Sequence, residues 1–374
     1  MSYFPQDPVP PKYLADREDQ LRDIMGVISD AVNKGRAANV VIRGDRGTGK
    51  TSLLAKVIAE TVEGCFIVYY SVSKEMNADE FVDTIVQKIN FQYSASLSSH
   101  KRYLSKFFEK IEEFSVAEIA IKVRKKELTP DVGLLECLLK FKERKFKAMM
   151  ILIDEADLLS PELLALLRNT VQEIRTFHEF PVGLILVGKE DITRKLTGRW
   201  SPLRRFFAGH RHILLPLDYE GVEQAITLVA NDLGLTWDKE AVKFVFEKSG
   251  GHPFIVQLFG DRAISVTTTH TIDTNDVKKA EKDVLNDVWE WYQDYWVSVP
   301  SETEKRVLKG LASINRIASF ADIAKVTKIR SVGTHLRRLV KKRCLFQEEE
   351  NGKYYFPHWL VAECINLTFL DKVT

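Results

Sequence analysis

The residues best suited to chemistry begin with a glycine-rich stretch, GDRGTGKT, at residues 44–51. It fits the pattern G-x-x-x-x-G-K-[S/T], in which glycines let successive backbone N–H groups face phosphate oxygens. An apolar run at 39–42 precedes the stretch and a helical pattern follows it, so we predict a strand, a phosphate-binding loop and a helix N-terminus. Lys50 is then expected to reach the β- and γ-phosphates of a nucleoside triphosphate, and the Thr51 hydroxyl to bind Mg²⁺.

A pair of adjacent acids, Asp154 and Glu155, forms the second chemical feature. They end an apolar run at residues 149–153 that predicts a buried strand. A carboxylate at such a strand end is suited to hold Mg²⁺, and its neighbour is suited to orient or deprotonate an attacking water. Capping of the next helix would explain two adjacent acids, but not their occurrence together with a phosphate loop. We therefore predict binding of a nucleoside triphosphate with Mg²⁺, and hydrolysis as a further expectation.

The elements that must position these residues alternate between strand and helix. Helical patterns lie at 17–36, 50–62, 77–89 and 161–177, and strand patterns at 39–42, 65–72, 149–153, 182–187 and 211–215. This alternation is typical of an α/β fold, a P-loop αβα sandwich whose parallel sheet is covered by helices on both faces. After Pro216 the pattern is helical to about residue 296, and from residue 301 three short helices and a hairpin are predicted.

Composition bounds the class of protein. The chain has 374 residues, of which 45% are hydrophobic and 28% charged, so a long disordered chain is excluded. Its apolar runs are far shorter than the roughly 20 residues that a membrane helix needs. The four cysteines show no metal-like spacing and no apolar leader precedes the first helix, so we expect reduced thiols and a cytoplasmic protein. No membrane partner is expected.

Charge is distributed unevenly along the chain. Residues 301–374 carry 14 basic and 8 acidic side chains, a net +6, whereas the whole chain carries only +2. A basic C-terminal module on a mildly acidic body indicates nucleic acid. A solvated basic face would produce the same count, so charge alone does not decide between the two.

Four segments together resemble AAA+ and STAND ATPases related to origin-recognition proteins. The segments are YLADRE at 13–18, IRGDRGTGKTSLL at 42–54, LIDEADLLS at 152–160 and LILVGKED at 184–191. The resemblance implies an ATPase that binds ATP, with Arg17 near the adenine. It also implies a polar sensor at Gly188 or Lys189. Because neither residue is the usual Asn, Ser or Thr, Lys189 is the candidate.

Two further segments resemble softer elements of that family. SPLRRFF at 201–207 is similar to the segment that carries arginine fingers, so Arg204 and Arg205 are candidates; an exposed basic turn is the alternative. A finger that acts on a neighbouring subunit would require a nucleotide-dependent homo-oligomer. SGGHPFIVQLFG at 249–260 resembles the G-x-P element of a STAND-type lid, which would place Pro253 near the base or phosphates. A proline that simply begins a helix is the alternative.

The predicted site combines these motifs. Catalytic roles are predicted for Lys50, Asp154, Glu155, Arg204 and Arg205, and metal binding for Thr51 and Asp154. Nucleotide binding is predicted for Arg17, Gly44, Asp45, Arg46, Gly47, Thr48, Gly49, Lys50, Thr51, Ser52 and Pro253. The resemblance divides the chain into a P-loop ATPase core at 1–216 with an insertion at about 91–147, an all-α lid at 217–298 and a winged-helix domain at 299–374.

The C-terminal residues resemble a winged helix whose third helix, residues 331–342, would enter the major groove of double-stranded DNA. Its candidate DNA contacts are Arg330, Thr334, His335, Arg337, Arg338, Lys341 and Lys342. An acidic run at 348–350 in the wing would repel DNA, which keeps a protein partner open.

Taken together, these features predict an ATP-binding and hydrolysing switch whose winged helix binds DNA. Two alternatives stay open. One is a STAND-like signalling or scaffold ATPase whose winged helix binds a protein partner. The other is an oligomeric DNA-remodelling or loading factor. Salt-dependent DNA binding separates the first alternative from the other two functions.

Overall fold

The chain folds into two compact units, one formed by Pro8–Pro216 and the other by Met1–Asp7 with Leu217–Thr374. The computed structural model describes residues 3–100, 128–142, 146–189, 191–197, 203–297, 301–314, 317–342, 344–347, 352–356 and 358–370. Much of the predicted insertion, residues 101–127 and 143–145, lies outside the described residues. The division of residues 217–374 into a lid and a winged helix stays a prediction.

Parallel strands form the central sheet of the first unit. They are β1 (Val40–Arg43), β2 (Cys65–Ser71), β3 (Ala148–Asp154), β4 (Val182–Gly188) and β5 (His210–Ile213). Their order across the five-stranded sheet is β2-β3-β4-β1-β5, and each neighbouring pair is parallel. Strands β3 and β4 are buried at every position, because helices cover both faces of the sheet.

Helices pack on the two faces of this sheet. They are α1 (Glu18–Lys34), α2 (Lys50–Ala59), α3 (Ala78–His100), α4 (Pro130–Lys142), α5 (Pro161–Phe177), α6 (Asp191–Thr197) and α7 (Leu203–Phe206). Side chains alternate along β3, so Met150 and Leu152 join the apolar cluster of α1 and α2. Ile151 and Ile153 join the cluster of α3, α4 and α5 on the other face. The predicted αβα fold is confirmed.

Two element boundaries differ from their predicted positions. The helix predicted at 77–89 continues as α3 to His100. The last strand of the sheet is His210–Ile213 rather than 211–215, because it pairs residue by residue with the equally short Val40–Arg43. Pairing with β1 sets the bounds of β5. The apolar pattern of a single segment carries no information about such pairing.

The second unit begins with a set of helices and a small sheet. The helices are α8 (Tyr219–Asp232), α9 (Lys239–Ser249), α10 (Pro253–Val266) and α11 (Thr274–Val297), and the strands are β6 (Thr236–Trp237) and β7 (Thr271–Ile272). Tyr3 is buried in this unit, where its hydroxyl donates to the carbonyl of Ile226 at 2.6 Å and accepts from Trp237 Nε1 at 3.0 Å. The N-terminal residues therefore belong to the helical unit.

The C-terminal part of this unit has the order helix, strand, helix, helix, strand, strand, helix. Its elements are α12 (Glu302–Ile314), β8 (Ile317–Ala318), α13 (Phe320–Thr327), α14 (Val332–Lys341), β9 (Phe346–Gln347), β10 (Tyr354–Tyr355) and α15 (Trp359–Leu370). The strands form an antiparallel sheet in the order β8-β10-β9. The predicted acidic tip of the hairpin, residues 348–350, lies outside the described residues.

The structure also bears on two predictions, one about the cysteines and one about membrane-spanning helices. All four cysteines are buried and carry free thiols, and burial raises the pKa of Cys65 to about 12, as expected for reduced structural cysteines. A membrane-spanning helix, long and apolar enough to cross a bilayer, is not found among the described residues.

Candidate nucleotide-binding site

The glycine-rich loop joins the end of β1 to the start of α2, as predicted. Gly49 directly precedes α2 and has a φ of 86° and a ψ of 20°, a left-handed conformation that glycine adopts without strain. Its carbonyl accepts the first helical hydrogen bond, from the amide of Leu53 at 3.0 Å. The loop amides at this helix N-terminus carry partial positive charge and suit phosphate.

Lys50 lies inside the loop and is only 6% exposed. Its Nζ donates to the carbonyl of Gly44 at 3.0 Å and to that of Asp45 at 2.8 Å. Burial lowers the pKa of Lys50, and the charge of Lys189 adds to this, whereas the carboxylates of Glu155 and Asp154 raise it. The ammonium is therefore held by loop carbonyls at the place where phosphates would bind.

Thr51 and Asp154 meet directly. The Thr51 hydroxyl donates to Asp154 Oδ2 at 2.7 Å, and the amide of Glu155 donates to Asp154 Oδ1 at 2.9 Å. Tyr69 Oη donates to the same Oδ2 at 3.5 Å; burial and the charge of Asp154 both raise the pKa of this tyrosine. A hydroxyl and a buried carboxylate are hard oxygen ligands, so the donor set fits Mg²⁺ with Thr51 and Asp154 as the residues that would hold it.

Glu155 has an unusual backbone and an enclosed carboxylate. It adopts a φ of 51° and a ψ of 35°, left-handed values that cost free energy in a non-glycine residue. Its Oε2 is shielded from solvent and accepts no hydrogen bond from the described residues. Lys189 Nζ lies 3.6 Å from that oxygen. Strain of this kind concentrates at functional sites, where surrounding contacts hold the residue in place.

Lys189 follows β4 directly and its backbone is anchored. Its amide donates to Asp157 Oδ1 at 3.0 Å. A Cβ on the preceding Gly188 would lie 2.7 Å from that same Oδ1, so only glycine fits there. Of the two predicted sensor residues, Gly188 has no side chain, and Lys189 directs its amine to Glu155.

Arg17 also contacts the phosphate loop. It is 5% exposed, and its guanidinium donates to the carbonyls of Leu215 at 2.7 Å and Thr48 at 3.5 Å. Thr48 Oγ1 donates to the Asp45 carbonyl at 2.8 Å, which closes the loop turn. Ser52 faces the N-terminal segment, because its Oγ accepts from the Val9 amide at 3.2 Å. The structure therefore brings Arg17 to the site and engages Ser52 elsewhere.

Arg204 and Arg205 are exposed at the end of the sheet opposite the phosphate loop. Both belong to α7, which precedes β5 and so lies where the parallel strands begin, whereas the phosphate loop lies where β1 ends. Asn39, the residue before β1, confirms this position by donating from Nδ2 to the carbonyl of Phe206 at 2.9 Å. Neither arginine joins the phosphate loop of its own unit.

Three other residues predicted to bind nucleotide are Asp45, Arg46 and Pro253. Asp45 and Arg46 are exposed in the loop, and Asp45 contributes its carbonyl rather than its carboxylate. Pro253 begins α10 in the helical unit, as a helix-starting proline would, with His252 at its N-cap. Its predicted place near the nucleotide stays a prediction.

Sequence reasoning missed three residues around Glu155. Tyr69 contacts Asp154, Asp157 anchors the amide of Lys189, and Lys195 Nζ donates to the carbonyls of Asp157 at 2.5 Å and Leu159 at 2.8 Å. For Tyr69 no local signal exists, because its contact depends on β2 lying next to β3.

Comparison with known proteins agrees with this geometry. Residues 33–196 match the family model of the AAA domain. The fold is similar to that of the Walker-type ATPase PABY2304 of Pyrococcus abyssi, with 16% identity, a TM-score of 0.67 and 97% of this chain and 100% of that chain covered. A search among curated proteins finds no match.

Two further solved structures have a similar fold. The ORC2 protein of Aeropyrum pernix, in ADPNP and ADP complexes, shares 14% identity over 98% of this chain and 97% of that chain, with a TM-score of 0.64. Cdc6p from Pyrobaculum aerophilum shares 16% identity over 100% of both chains, with a TM-score of 0.53. The predicted resemblance to AAA+ ATPases related to origin-recognition proteins is confirmed.

Proposed function

We propose that this chain is a nucleotide-controlled switch that binds double-stranded DNA. Its residues 33–196 match the model of the AAA domain, and its fold is similar to those of the Cdc6p and ORC2 proteins. ATP and Mg²⁺ bind at the phosphate loop, and the C-terminal module binds the duplex. The exposed basic face of α14 carries the proposal of DNA binding. The Thr51–Asp154 contact and the enclosed Glu155 support the proposed chemistry.

In the proposed hydrolysis, residues of the phosphate loop and of the end of β3 each have a chemical role. Lys50 would hold the β- and γ-phosphates. Thr51 and Asp154 would hold Mg²⁺, which would neutralise phosphate charge. Glu155 accepts a proton from water as the water oxygen bonds to the γ-phosphorus. The bond from that phosphorus to the β–γ bridging oxygen breaks, and its electron pair stays with ADP. The choice of ATP as the nucleotide rests on the family resemblance, which also implies a position for Arg17 near the adenine.

The order of elements from α12 to β10 supports a winged helix. Three helices with a short strand after the first are followed by two strands; the last strand, β10, pairs with both β8 and β9. This is the element order of a winged helix, and in DNA-binding winged helices the third helix enters the major groove. Here the third helix is α14.

The two faces of α14 differ in burial and charge. Val332, Leu336 and Leu339 are buried toward the module core. The other face is exposed and carries Thr334, Arg337, Arg338 and Lys341, with exposed Arg330 just before the helix. Cations arranged this way can neutralise successive phosphates, and arginines can also reach guanine edges.

Two of the residues predicted to contact DNA face elsewhere. Lys342 Nζ donates to Glu304 Oε2 at 2.9 Å, so this lysine holds a buried carboxylate of α12. His335 is half-buried and its Nδ1 is enclosed, which turns the ring away from solvent. The proposed contact surface therefore consists of Arg330, Thr334, Arg337, Arg338 and Lys341.

Fluorescence anisotropy with labelled duplex DNA tests this proposal, at two salt concentrations and with ADP or a non-hydrolysable ATP analogue. We expect binding that weakens with salt and differs between the nucleotides. The Arg337→Ala/Lys341→Ala protein should lose about 2 units of the logarithmic salt slope, roughly 0.9 per phosphate contact. The matched control Lys278→Ala/Lys282→Ala removes two exposed lysines of α11 with the same spacing and should bind as the wild type.

Two results would contradict DNA binding. One is no binding at low salt in any nucleotide state. The other is equal binding by the α14 variant and its α11 control. Either result would favour the alternative of a protein partner for the C-terminal module.

A second proposal concerns assembly, and the position of Arg204 and Arg205 supports it. Because both are exposed at the sheet edge opposite their own phosphate loop, a finger role requires the site of another copy. A fixed cation placed there would stabilise charge on the transferred phosphoryl group. We therefore propose a nucleotide-dependent homo-oligomer in which these arginines act across the interface.

Mixing two inactive variants tests action across an interface. Arg204→Ala/Arg205→Ala keeps its own Glu155, and Glu155→Gln keeps both arginines, so mixed assemblies contain some complete sites. We expect each variant alone to hydrolyse ATP slowly and the mixture to recover activity. Full activity of the arginine variant alone, or no recovery on mixing, would overturn the assembly proposal.

A further inference from the structure

An aromatic side chain borders the basic face of α14. Phe320 begins α13 and is 50% exposed, although its ring is large and apolar. A Cβ on Gly333, the second residue of α14, would lie only 3.0 Å from Phe320 Cε2. The ring therefore packs directly on the backbone of α14, at a position where glycine leaves room for it.

Gly333 lies next to the proposed DNA contacts. It precedes Arg337 by one helical turn on the same side of α14, and Arg337 Nε donates to the Gly333 carbonyl at 3.3 Å. The guanidinium of Arg337 and the ring of Phe320 thus approach α14 at the same residue. A duplex that contacts Arg337 would also lie against the exposed part of the ring.

The start of α13 fixes the position of Phe320. Ser319 is the N-cap, and its Oγ accepts from the Asp322 amide at 3.2 Å. In return, Asp322 Oδ2 accepts from the Ser319 amide at 3.1 Å and from Ser319 Oγ at 2.6 Å. This capping box determines the backbone on both sides of Phe320, so a well-ordered helix end holds the ring beside α14.

The charges around Phe320 favour a polyanion as its partner. Asp322 is the nearest acid along α13, and the hydrogen bond from Ser319 and the positive charges of Lys325 and Lys353 lower its pKa. Both lysines are exposed, and they add to the cations of α14. DNA offers phosphates to these cations, and in its major groove it also offers an apolar group, the C5 methyl of thymine.

We propose that Phe320 contacts a thymine methyl group when α14 lies in the major groove, and that it thereby favours thymine at that position of the duplex. Contact with the ring removes the methyl from water, which discriminates thymine from bases that lack this group. The inference rests on the proposed DNA binding by α14 and adds a base preference to it.

Replacing thymine by deoxyuridine tests this contact, because the two bases differ only in the C5 methyl. The probes are labelled duplexes of equal length, one of alternating adenine and thymine and one of alternating adenine and uracil, and fluorescence anisotropy measures both affinities at low salt. The wild type should bind the thymine duplex about fourfold more tightly, as expected for burial of one methyl group.

The Phe320→Ala protein should bind the two duplexes with nearly equal affinity. Its salt dependence should match that of the wild type, because the change removes no cation. Phe320→Leu keeps an apolar side chain and should still prefer thymine. This second variant also keeps the test possible if Phe320→Ala does not fold.

The matched control is Val326→Ala, which shortens another exposed apolar side chain of α13. Val326 is 49% exposed, and its Cγ1 lies toward Gly310 of α12, 3.8 Å from the place of a Cβ on that glycine. Because this contact is with α12 and not with α14, Val326→Ala should prefer thymine as strongly as the wild type.

The possible results distinguish this inference from the proposed function. No binding of either duplex by the wild type would overturn DNA binding by the C-terminal module. Binding of both duplexes with the same thymine preference, or the same lack of it, in the wild type and in Phe320→Ala would overturn only the thymine contact. In that case the exposed ring would remain available to a protein partner.

Discussion

The hydroxyl of Thr51 donates a hydrogen bond of 2.7 Å to Oδ2 of Asp154, although 103 positions separate the two residues in the chain. Thr51 is the second residue of α2, and Asp154 ends β3. The strands that lead to them, β1 and β3, are not neighbours, because β4 lies between them. The contact thus joins two motifs at the carboxyl ends of the strands, and it forms the place where we propose that Mg²⁺ binds.

Replacing Thr51 by valine should weaken nucleotide binding only when Mg²⁺ is present. The change removes one oxygen ligand and the bond to Asp154 while keeping the shape of the side chain. We expect about a tenfold loss of affinity for ATP with Mg²⁺ and little change in EDTA, measured by isothermal titration calorimetry. Thr61→Val is the control, since Thr61 Oγ1 donates to the carbonyls of Val57 and Ile58 at the end of α2. Equal losses with and without Mg²⁺ would contradict the metal role of Thr51.

Replacing Lys50 by methionine should weaken ATP binding without lowering the thermal stability of the nucleotide-free protein. Burial lowers the pKa of Lys50, which means that the folded protein bears a cost for the charged ammonium. Methionine of similar length removes that cost, so the nucleotide-free Tm should stay the same or rise. ATP affinity should fall about tenfold or more, and the rise in Tm on adding ATP should disappear. Lys56→Met, further along α2, should keep that rise; a Lys50→Met protein that keeps it would refute the assignment.

Replacing Gly188 by alanine should destabilise the first unit and slow hydrolysis. The new Cβ would lie 2.7 Å from Asp157 Oδ1, so the anchor of the Lys189 amide has to move. We expect a loss of about 1–3 kcal/mol in the free energy of unfolding, measured with urea.

The matched control is Gly26→Ala in α1, where a Cβ would meet nothing within 4 Å. Here alanine should stabilise the helix by about 0.5–1 kcal/mol. A neutral Gly188→Ala would show that the end of β4 adapts without cost.

Asp23 should make the first unit sensitive to acid. Burial raises the pKa of Asp23, but hydrogen bonds from His210 Nδ1 at 2.9 Å and His212 Nε2 at 2.8 Å, with their charges, outweigh burial and lower it. A lowered folded pKa adds stability above the unfolded value of about 3.9, and this stability is lost as pH falls through the folded pKa.

Asp23→Asn should therefore lower Tm by about 2 °C at pH 7, and the difference should shrink below about pH 4. Thermal unfolding across this pH range measures it. Asp19→Asn is the control, because Asp19 and its partner Arg22 are both largely exposed. A difference between Asp23→Asn and the wild type that is constant with pH would contradict the proposed linkage.

Local patterns determined the elements and the two chemical motifs. The alternation of strands and helices, the loop at 44–51 and the acids at 154 and 155 follow from short-range chemistry, because side-chain periodicity and glycine content act within a few residues. The predicted strand before the loop became Val40–Arg43, and the predicted strand before the acids became Ala148–Asp154.

Tertiary structure alone decided which distant residues meet. The order β2-β3-β4-β1-β5 places Tyr69 beside Asp154 and brings Lys189 to Glu155. The same topology places Arg204 and Arg205 at the end of the sheet opposite the phosphate loop. Strand order depends on how helices fill both faces of the sheet and on pairing between strands far apart in the chain. No local pattern records those interactions, so the sequence by itself determined the parts of the site, and packing of the whole unit decided which of them touch.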